Sequence, residues 1–267
     1  MSHIGLLQKA NLLTQNRKLA FLEFIFKHNI SFCAILAESN GTFLIKNSIG
    51  FDSVSICNSC STKDFWKGIL PEINKEYFFS TENKNLNEIL QFFSFKLKDE
   101  VESVSIIKTE GFIFILCNKI LSKEIINDLK FLDYNSEFRF KYDFDALKIT
   151  SENILSCYNF DFSEAIESSV LQNVKPNNVN YELYKDAVQN EVSNRIFCIF
   201  QFPHFIKKCE NKSLNVVLNT KTKICADFFY RHILSSISTI IDDNSSLINI
   251  SENDTCKTLS QLKDFIF

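Results

Sequence analysis

The chain has 267 residues, with 29 basic and 32 acidic side chains and 45% hydrophobic residues, among them 28 phenylalanines. This amount of apolar material can offset the ordering entropy of the chain, which argues against a predominantly disordered protein. The net charge of −3 is spread without long basic blocks, so the sequence lacks the basic stripe typical of proteins that bind duplex nucleic acid.

The sequence carries no sign of export or membrane insertion. Residues 1–5 are not a basic segment followed by a long apolar core, so we expect no signal peptide. The longest apolar stretch, residues 19–26, is interrupted by Glu23 and is too short to span a bilayer. Nine cysteines, an odd number, fit reduced thiols better than a disulfide framework. We therefore expect a cytoplasmic protein that contacts neither membrane nor nucleic acid.

The N-terminal segment, residues 4–28, is predicted to form a long helix that is apolar on two faces. One face would contact the helix's own domain, and the other would contact something else. The second contact could be the other half of the protein, or it could be a partner chain in a homodimer. Both alternatives stay open at this point.

Strand and hairpin signals follow as far as residue 132. The strongest turn signal is Asn40-Gly41, which predicts a tight hairpin. Strands are predicted at 31–37, 42–49, 76–80, 102–108 and 112–118. Helices are predicted at 63–70 and 85–98 and from Ser122 to about residue 132, and residues 51–62 are predicted to form a polar loop.

The second half of the chain shows a different sequence pattern. Strands are predicted at 138–144, 214–219 and 247–250, and helices at 162–174, 181–201, 226–241 and 259–267. The last strand–helix–strand–helix series could form a parallel unit. The predicted fold class is therefore α+β, with an antiparallel-sheet domain over residues 1–135. A smaller α+β domain follows over residues 136–267, in which part of the sheet could be parallel.

The order of elements in the first 132 residues resembles that of the GAF family of small sensory and regulatory domains. The resemblance lies in an initial helix, the hairpin FCAILAESNGTFLIKNSIG, the strand EYFFS, the helix NLNEILQFFSFKLK, the hairpin ESVSIIKTEGFIFILCN and a closing helix. The step Ser48-Ile49-Gly50-Phe51 is similar to the family's strand-to-loop transition. The resemblance implies an antiparallel sheet with helices on one face and a pocket, or a filled-in pocket, on the other.

The resemblance also implies a range of functions. Such domains bind cyclic nucleotides, tetrapyrroles or other small molecules, or they mediate dimerisation. The chain lacks the Asn-Lys-Phe-Asp-Glu run associated with cyclic-nucleotide sites, so no ligand residue is carried over and the cofactor is left unassigned. What remains is a regulatory or interaction role.

A pair of cysteines is the local sequence feature that most clearly suggests a chemical function. Cys57 and Cys60 form a C-x-x-C, a spacing that can bind a metal ion or cycle through a disulfide. Tetrahedral zinc needs about four ligands, and the sequence has no second pair of suitable spacing. Our main interpretation is that the two cysteines are incidental and that no metal site is present. A thiol-dependent redox enzyme using Cys57 and Cys60 is the alternative.

Aromatic side chains around the same loop are candidates for a ligand pocket. Phe51, Phe65 and Trp66 could line such a pocket between the sheet and residues 50–70. Trp66 with Phe65 could instead form a lid packed on the sheet, which is the interpretation we favour for these two residues. His232 is interpreted as a partly buried structural histidine, because Cys225 would lie two helical turns away, too far for a nucleophile–base hydrogen bond. His28 and His204 are interpreted as residues at helix ends. The favoured hypothesis is a non-enzymatic regulatory or interaction protein.

Overall fold

The protein is a mixed α+β chain built around two antiparallel sheets. The structure, a computed structural model, describes residues 18–82, 85–137, 154–199, 204–209, 212–253 and 259–266. The chain divides into two compact units, Met1–Arg139 with Asn173–Glu191 and Phe140–Gln172 with Val192–Phe267. No helix among the described residues is long and apolar enough to cross a membrane.

The first unit contains eight short strands and six helices among its described residues up to 137. The strands are β1 Leu19–Ala20, β2 Cys33–Ser39, β3 Thr42–Ile49, β4 Ser61–Thr62, β5 Glu76–Ser80, β6 Ser103–Lys108, β7 Phe112–Cys117 and β8 Leu132–Asp133. The helices are α1 Phe21–His28, α2 Ser53–Asn58, α3 Lys63–Ile69, α4 Asn85–Leu90, α5 Phe95–Lys98 and α6 Lys123–Leu129.

Six of these strands form one antiparallel sheet in the order β4-β3-β2-β7-β6-β5. The prediction of a single antiparallel layer from the two hairpins is confirmed. The first hairpin turns at Asn40 and Gly41, whose φ angles are 51° and 80°. Positive φ at both central residues is what a tight hairpin of type I′ requires, and Asn-Gly supplies it at little steric cost.

Both faces of this sheet are covered at its centre. Phe114 pairs with Ile35 and lies on the face where Phe24 of α1 packs, with ring centroids 5.6 Å apart. Ser48 pairs with Ala34 and therefore lies on the opposite face, because successive residues of a strand point to opposite sides. All six residues of β7 are buried. Since no strand face is left to water here, the sequence shows apolar runs rather than alternation.

Three sequence predictions in this unit need correction. Among the described residues, the predicted helix 4–28 is helical only from Phe21 to His28, because Leu19 and Ala20 pair in parallel with Leu132 and Asp133. Its earlier part, residues 4–17, lies outside the described residues, and with it the predicted dimer contact.

The predicted helix 85–98 is interrupted between α4 and α5, and the predicted loop 51–62 contains α2. Two helix-capping side chains account for these differences: Asp52 begins α2, and Ser94 begins α5. Asp52 caps α2 by accepting from the Ser55 N–H at 2.8 Å, and Ser94 caps α5 by accepting from the Leu97 N–H at 3.2 Å.

The second unit contains the other sheet, which has four strands. Its strands are β9 Ile154–Asp161, β10 Phe205–Lys208, β11 Leu214–Thr220 and β12 Asn249–Asn253. The helices after residue 162 are α7 Ser163–Leu171, α8 Tyr181–Ile199, α9 Lys223–Ile241 and α10 Leu259–Ile266, with a 3₁₀ turn at Asp242–Leu247. The first part of α8, up to Glu191, belongs to the first unit. The predicted strand 138–144 lies outside the described residues.

The expectation of a partly parallel sheet in this half is wrong. The order is β10-β11-β9-β12, and every pair is antiparallel. The strands β11 and β12 run in the same direction, as the predicted strand–helix–strand unit requires, but β9 is inserted between them and pairs with both. With α7 and α8 between β9 and β10, and α9 between β11 and β12, this strand order is that of a split β-α-β arrangement.

Both faces of this second sheet are also covered. On one face, Leu262 of α10 packs with Cys157, Phe205 and Val217. On the other, Tyr158 and Phe160 contact Tyr230 of α9. Because α10 and α9 cover opposite faces, β9 buries Cys157 on one side and Tyr158 and Phe160 on the other, and polar residues stand at 156, 159 and 161. The strand therefore shows neither a period-two alternation nor a continuous apolar run, and the sequence did not predict it.

Candidate functional site

The predicted ligand residue Phe51 lies in a cluster of three phenylalanines beside the end of β3. Its ring centroid lies 5.0 Å from that of Phe32 and 5.4 Å from that of Phe93. Phe51 and Phe93 are both buried. We call these three residues the Phe51 cluster; their ring faces and edges are already in contact with one another, as in a packed core.

The predicted residues Phe65 and Trp66 lie in a second aromatic group, which also contains Phe92. Trp66 is stacked on Phe92 with centroids 6.0 Å apart, and Phe65 lies edge-on to both, at 5.1 Å from Trp66 and 5.3 Å from Phe92. Trp66 is 0% exposed, and its indole N–H donates a 2.6 Å hydrogen bond to the Ser61 hydroxyl. We call Phe65, Trp66 and Phe92 the Trp66 cluster.

The interruption between α4 and α5 joins the two clusters. Phe92 and Phe93 are consecutive residues in that interruption, and they supply one ring to each cluster. A continuous helix through residues 85–98 would place these neighbours about 100° apart on a helical surface. The structure therefore links all three predicted aromatic residues through Phe92 and Phe93, with Phe51 and Trp66 buried and Phe65 half-buried.

A buried carboxylate holds this region in place. Asp52, which is 4% exposed, caps α2 and also accepts a hydrogen bond from the Ser94 hydroxyl at 2.5 Å. In return, the Ser94 N–H donates to the Ser55 hydroxyl at 2.8 Å. The caps of α2 and α5 are thus one hydrogen-bonded unit, which fixes the backbone on either side of the aromatic clusters.

The two cysteines of the C-x-x-C differ in their surroundings. Cys57 is the penultimate residue of α2 and is buried, whereas Cys60 is exposed. Burial, and then the nearby Asp52 carboxylate, raises the pKa of Cys57 to about 12. A reactive thiol needs the opposite, a helix N-terminus or a neighbouring cation that lowers the pKa.

Tyr184 of α8 lies beside these thiols. Its hydroxyl forms a hydrogen bond with Cys60, and its pKa is raised, first by burial and then by Cys60. Neither thiol gains a cation from this neighbour, so Tyr184 adds a structural contact rather than an activating one.

Glu191 forms a connection that sequence reasoning missed. This residue of α8 is 0% exposed and accepts hydrogen bonds from the Ser48 hydroxyl at 2.7 Å and the Gly50 N–H at 2.9 Å. Its two oxygens therefore bind the Ser48-Ile49-Gly50-Phe51 step on which the GAF resemblance partly depends. The only signal in the sequence is an acidic residue on the apolar side of a long helix, together with Val188 and Val192.

The histidines take different roles. His204 is buried, its Nδ1 accepts a hydrogen bond from the Asn219 N–H at 3.1 Å, and burial lowers its pKa. His232 is exposed, so the expectation that it is partly buried is wrong. His28 ends α1 and lies 2.7 Å from a carboxylate oxygen of Asp128. None of these contacts joins a histidine to a nucleophile among the described residues.

The arrangement as a whole can pack and position segments of the first unit. Its buried polar groups, Asp52 and Glu191, bind backbone and hydroxyl donors, which is the pattern of a structural carboxylate. Comparison of the chain with protein-family models and with curated proteins gave no match. A functional proposal therefore rests on the geometry of the described residues and on the sequence.

Proposed function

We propose that the protein is a non-enzymatic regulatory or interaction protein, and that its first unit is a GAF-like domain whose interior is filled by its own aromatic side chains. The observation that carries the proposal is the full burial of Trp66 against Phe92 and Ser61. A residue that bound a small ligand would keep a face available to it. Here that space is taken by the protein.

The position of the clusters supports the GAF-like assignment. They lie where the resemblance places a pocket or a filled-in pocket, in the segment that follows the first hairpin. The six-stranded antiparallel sheet supports the same assignment, since it joins both quoted hairpins in one layer. With the interior filled, binding would take place at the surface of the unit.

Exposed apolar side chains offer such a surface. Phe95 is 85% exposed and Ile120 is 69% exposed. Side chains of this kind are the ones that protein interfaces bury. The partner could be a second copy of the chain or a different protein. Cytoplasmic residence belongs to the same proposal and is supported by free thiols at every cysteine whose side chain is described.

The thiol-enzyme alternative gains no support from the geometry. It requires at least one thiol with a depressed pKa, and Cys57 has a raised one. The alternative stays a prediction that alkylation kinetics can test.

The experiment that tests the proposal is a thermal-shift screen of the full chain against nucleotides and tetrapyrroles, together with light scattering over a range of protein concentrations. Any ligand that binds the native state raises the melting temperature in a concentration-dependent way. We expect no such shift in melting temperature. We expect the mass to double with concentration if the partner is a second copy of the chain, and to stay that of a monomer if the partner is a different protein. A saturable shift with one small molecule would contradict the filled interior.

A further inference from the structure

Three side chains of metal-binding type meet where the end of α1 lies beside α6. His28 is the last residue of α1, and Glu124 and Asp128 are four residues apart on α6, so they share one helix face. One imidazole nitrogen and one carboxylate oxygen from each acidic residue all lie within 4.8 Å of one another. We propose that His28, Glu124 and Asp128 form a binding site for one divalent transition-metal ion of the zinc class.

The imidazole is already oriented for this role. The His28 side chain is 5% exposed, and its Nε2 faces the Asp128 Oδ2 at 2.7 Å. Its ring packs on Phe24 with centroids 4.9 Å apart, and Phe24 is in turn held edge-on against Phe114 of the central strand β7. A ligand whose rotamer is fixed by packing loses little freedom when it binds an ion.

Charge at the site favours a cation. The Asp128 carboxylate is paired with the ammonium group of Lys27, whose Nζ lies 2.6 Å from the Asp128 Oδ2. The Lys27 side chain is 32% exposed and can turn into solvent when an ion takes its place. Within the described parts of the chain, the exposed Glu124 carboxylate has no hydrogen bond or ion pair. An ion therefore gains two carboxylates while displacing one lysine.

The end of α1 adds a favourable potential for a cation. Carbonyl groups at a helix C-terminus carry partial negative charge, and cations are stabilised there. Lys119 already uses this effect, since its Nζ donates to the carbonyl of His28 at 2.7 Å. That contact is to the main chain, so Lys119 does not occupy the three ligand side chains, although its ammonium offsets part of the favourable potential for a second cation.

The ligand set selects the class of ion. An imidazole with two carboxylates suits zinc and its neighbours in the first transition row, whereas magnesium and calcium take oxygen ligands. Zinc binds imidazole nitrogen and carboxylate oxygen at about 2.0–2.2 Å, and three protein ligands leave a fourth position for water. Small rotations of the three side chains would bring their donor atoms to that distance.

The site goes beyond the proposed function and does not depend on it. None of the three residues belongs to the Phe51 or Trp66 cluster. Sequence reasoning expected no metal site, because Cys57 and Cys60 lack a second pair of ligands. It could not find this one, since His28 and Asp128 are 100 residues apart in the chain. A bound ion would join α1 to α6 and stabilise the native state by mass action.

The test is a calorimetric titration of the full, chelator-treated chain with Zn²⁺, in a Cys60→Ser background that removes the exposed thiol of the C-x-x-C. We expect one saturable site that Mg²⁺ does not fill. Glu124→Gln and Asp128→Asn should each weaken Zn²⁺ binding at least about tenfold. Glu110→Gln, at an exposed carboxylate in the turn before β7, is the matched control and should leave the affinity unchanged.

Lys27→Met separates the proposal from a purely structural ion pair. Removal of the competing ammonium should tighten Zn²⁺ binding several-fold, whereas a structural pair predicts no effect on Zn²⁺ affinity. Glu124 is exposed, so Glu124→Gln should fold, and its circular dichroism spectrum checks this. The proposal is overturned if Zn²⁺ does not bind, or if Glu124→Gln and Asp128→Asn leave its affinity unchanged.

Discussion

The Oε1 of Glu191 accepts a 2.9 Å hydrogen bond from the backbone N–H of Gly50, at the residue where β3 leads into the segment that carries α2. The other oxygen of the same carboxylate accepts from the Ser48 hydroxyl, so both donors depend on one buried side chain. Because the carboxylate is fully buried, loss of either partner leaves a polar group without water to replace it.

Glu191→Ala should therefore destabilise the protein by about 3 kcal/mol or more, from two lost charged hydrogen bonds and two unsatisfied donors. Glu191→Gln keeps one acceptor and should cost less. Urea unfolding measures both. Glu182→Ala, at an exposed carboxylate of the same helix, is the control and should change stability by no more than about 0.5 kcal/mol. Equal stability of Glu191→Ala and Glu182→Ala would show that this buried carboxylate is not needed.

Gly50 is the second residue on which the transition from β3 to α2 depends. Its φ is +95°, and a Cβ at this position would lie 2.8 Å from both the Phe32 Cδ2 and the Ser31 carbonyl oxygen. Gly50→Ala should cost about 2–4 kcal/mol, because a strained backbone and a steric overlap add together. Gly111→Ala is the matched control, since a Cβ there meets nothing within 4 Å. Thermal unfolding of the two variants should differ clearly, and similar melting temperatures would contradict the prediction.

The two thiols of the C-x-x-C should differ in reactivity. With a pKa of about 12 and a buried side chain, Cys57 carries almost no thiolate at pH 8 and should resist iodoacetamide in the native protein. The exposed Cys60 should be alkylated first, at an ordinary rate. Peptide mass spectrometry over a time course measures both rates. Rapid labelling of Cys57 below pH 8 would restore the thiol enzyme as the better hypothesis.

His204 should make stability depend on pH. Burial lowers its pKa in the folded state, so below the ordinary histidine pKa of about 6.5 the unfolded chain binds a proton that the folded chain does not. The contribution of His204 to the free energy of unfolding is fully present above that pH. It is lost as the pH falls from about 6.5 toward the folded pKa, at up to about 1.4 kcal/mol per pH unit.

His204→Gln tests this dependence. Chemical unfolding at pH 7.5 and pH 5.5 should show a smaller pH effect in the variant than in the parent chain. His232→Gln, which replaces an exposed histidine, is the control and should leave the pH effect as it is. An identical pH dependence in parent and His204→Gln would be evidence that His204 protonates freely in the folded state.

Local signals predicted the parts of the fold that depend on neighbouring residues. The Asn40-Gly41 turn, the strand Glu76–Ser80 and the cap at Ser122, which accepts from the Ile125 N–H at 3.2 Å, all follow from short-range chemistry. Ser94 carries the same capping signal, and it would have revealed the break between α4 and α5.

What the sequence could not predict depends on residues far apart. The strand β9 pairs with both β11 and β12, and its sequence shows no period-two alternation because Cys157 on one face and Tyr158 and Phe160 on the other are all buried. The aromatic candidates were found by residue type. Their packing partners were not, because Phe92 and Phe93 meet Trp66 and Phe51 only through the fold.

The most direct test of the filled interior uses Trp66, which is the one tryptophan in the chain and is 0% exposed. Its fluorescence should be blue-shifted, resistant to iodide quenching, and unchanged when nucleotides or tetrapyrroles are titrated into the native protein. A saturable change in Trp66 emission with a nucleotide or a tetrapyrrole would contradict this account and place a ligand beside the aromatic clusters.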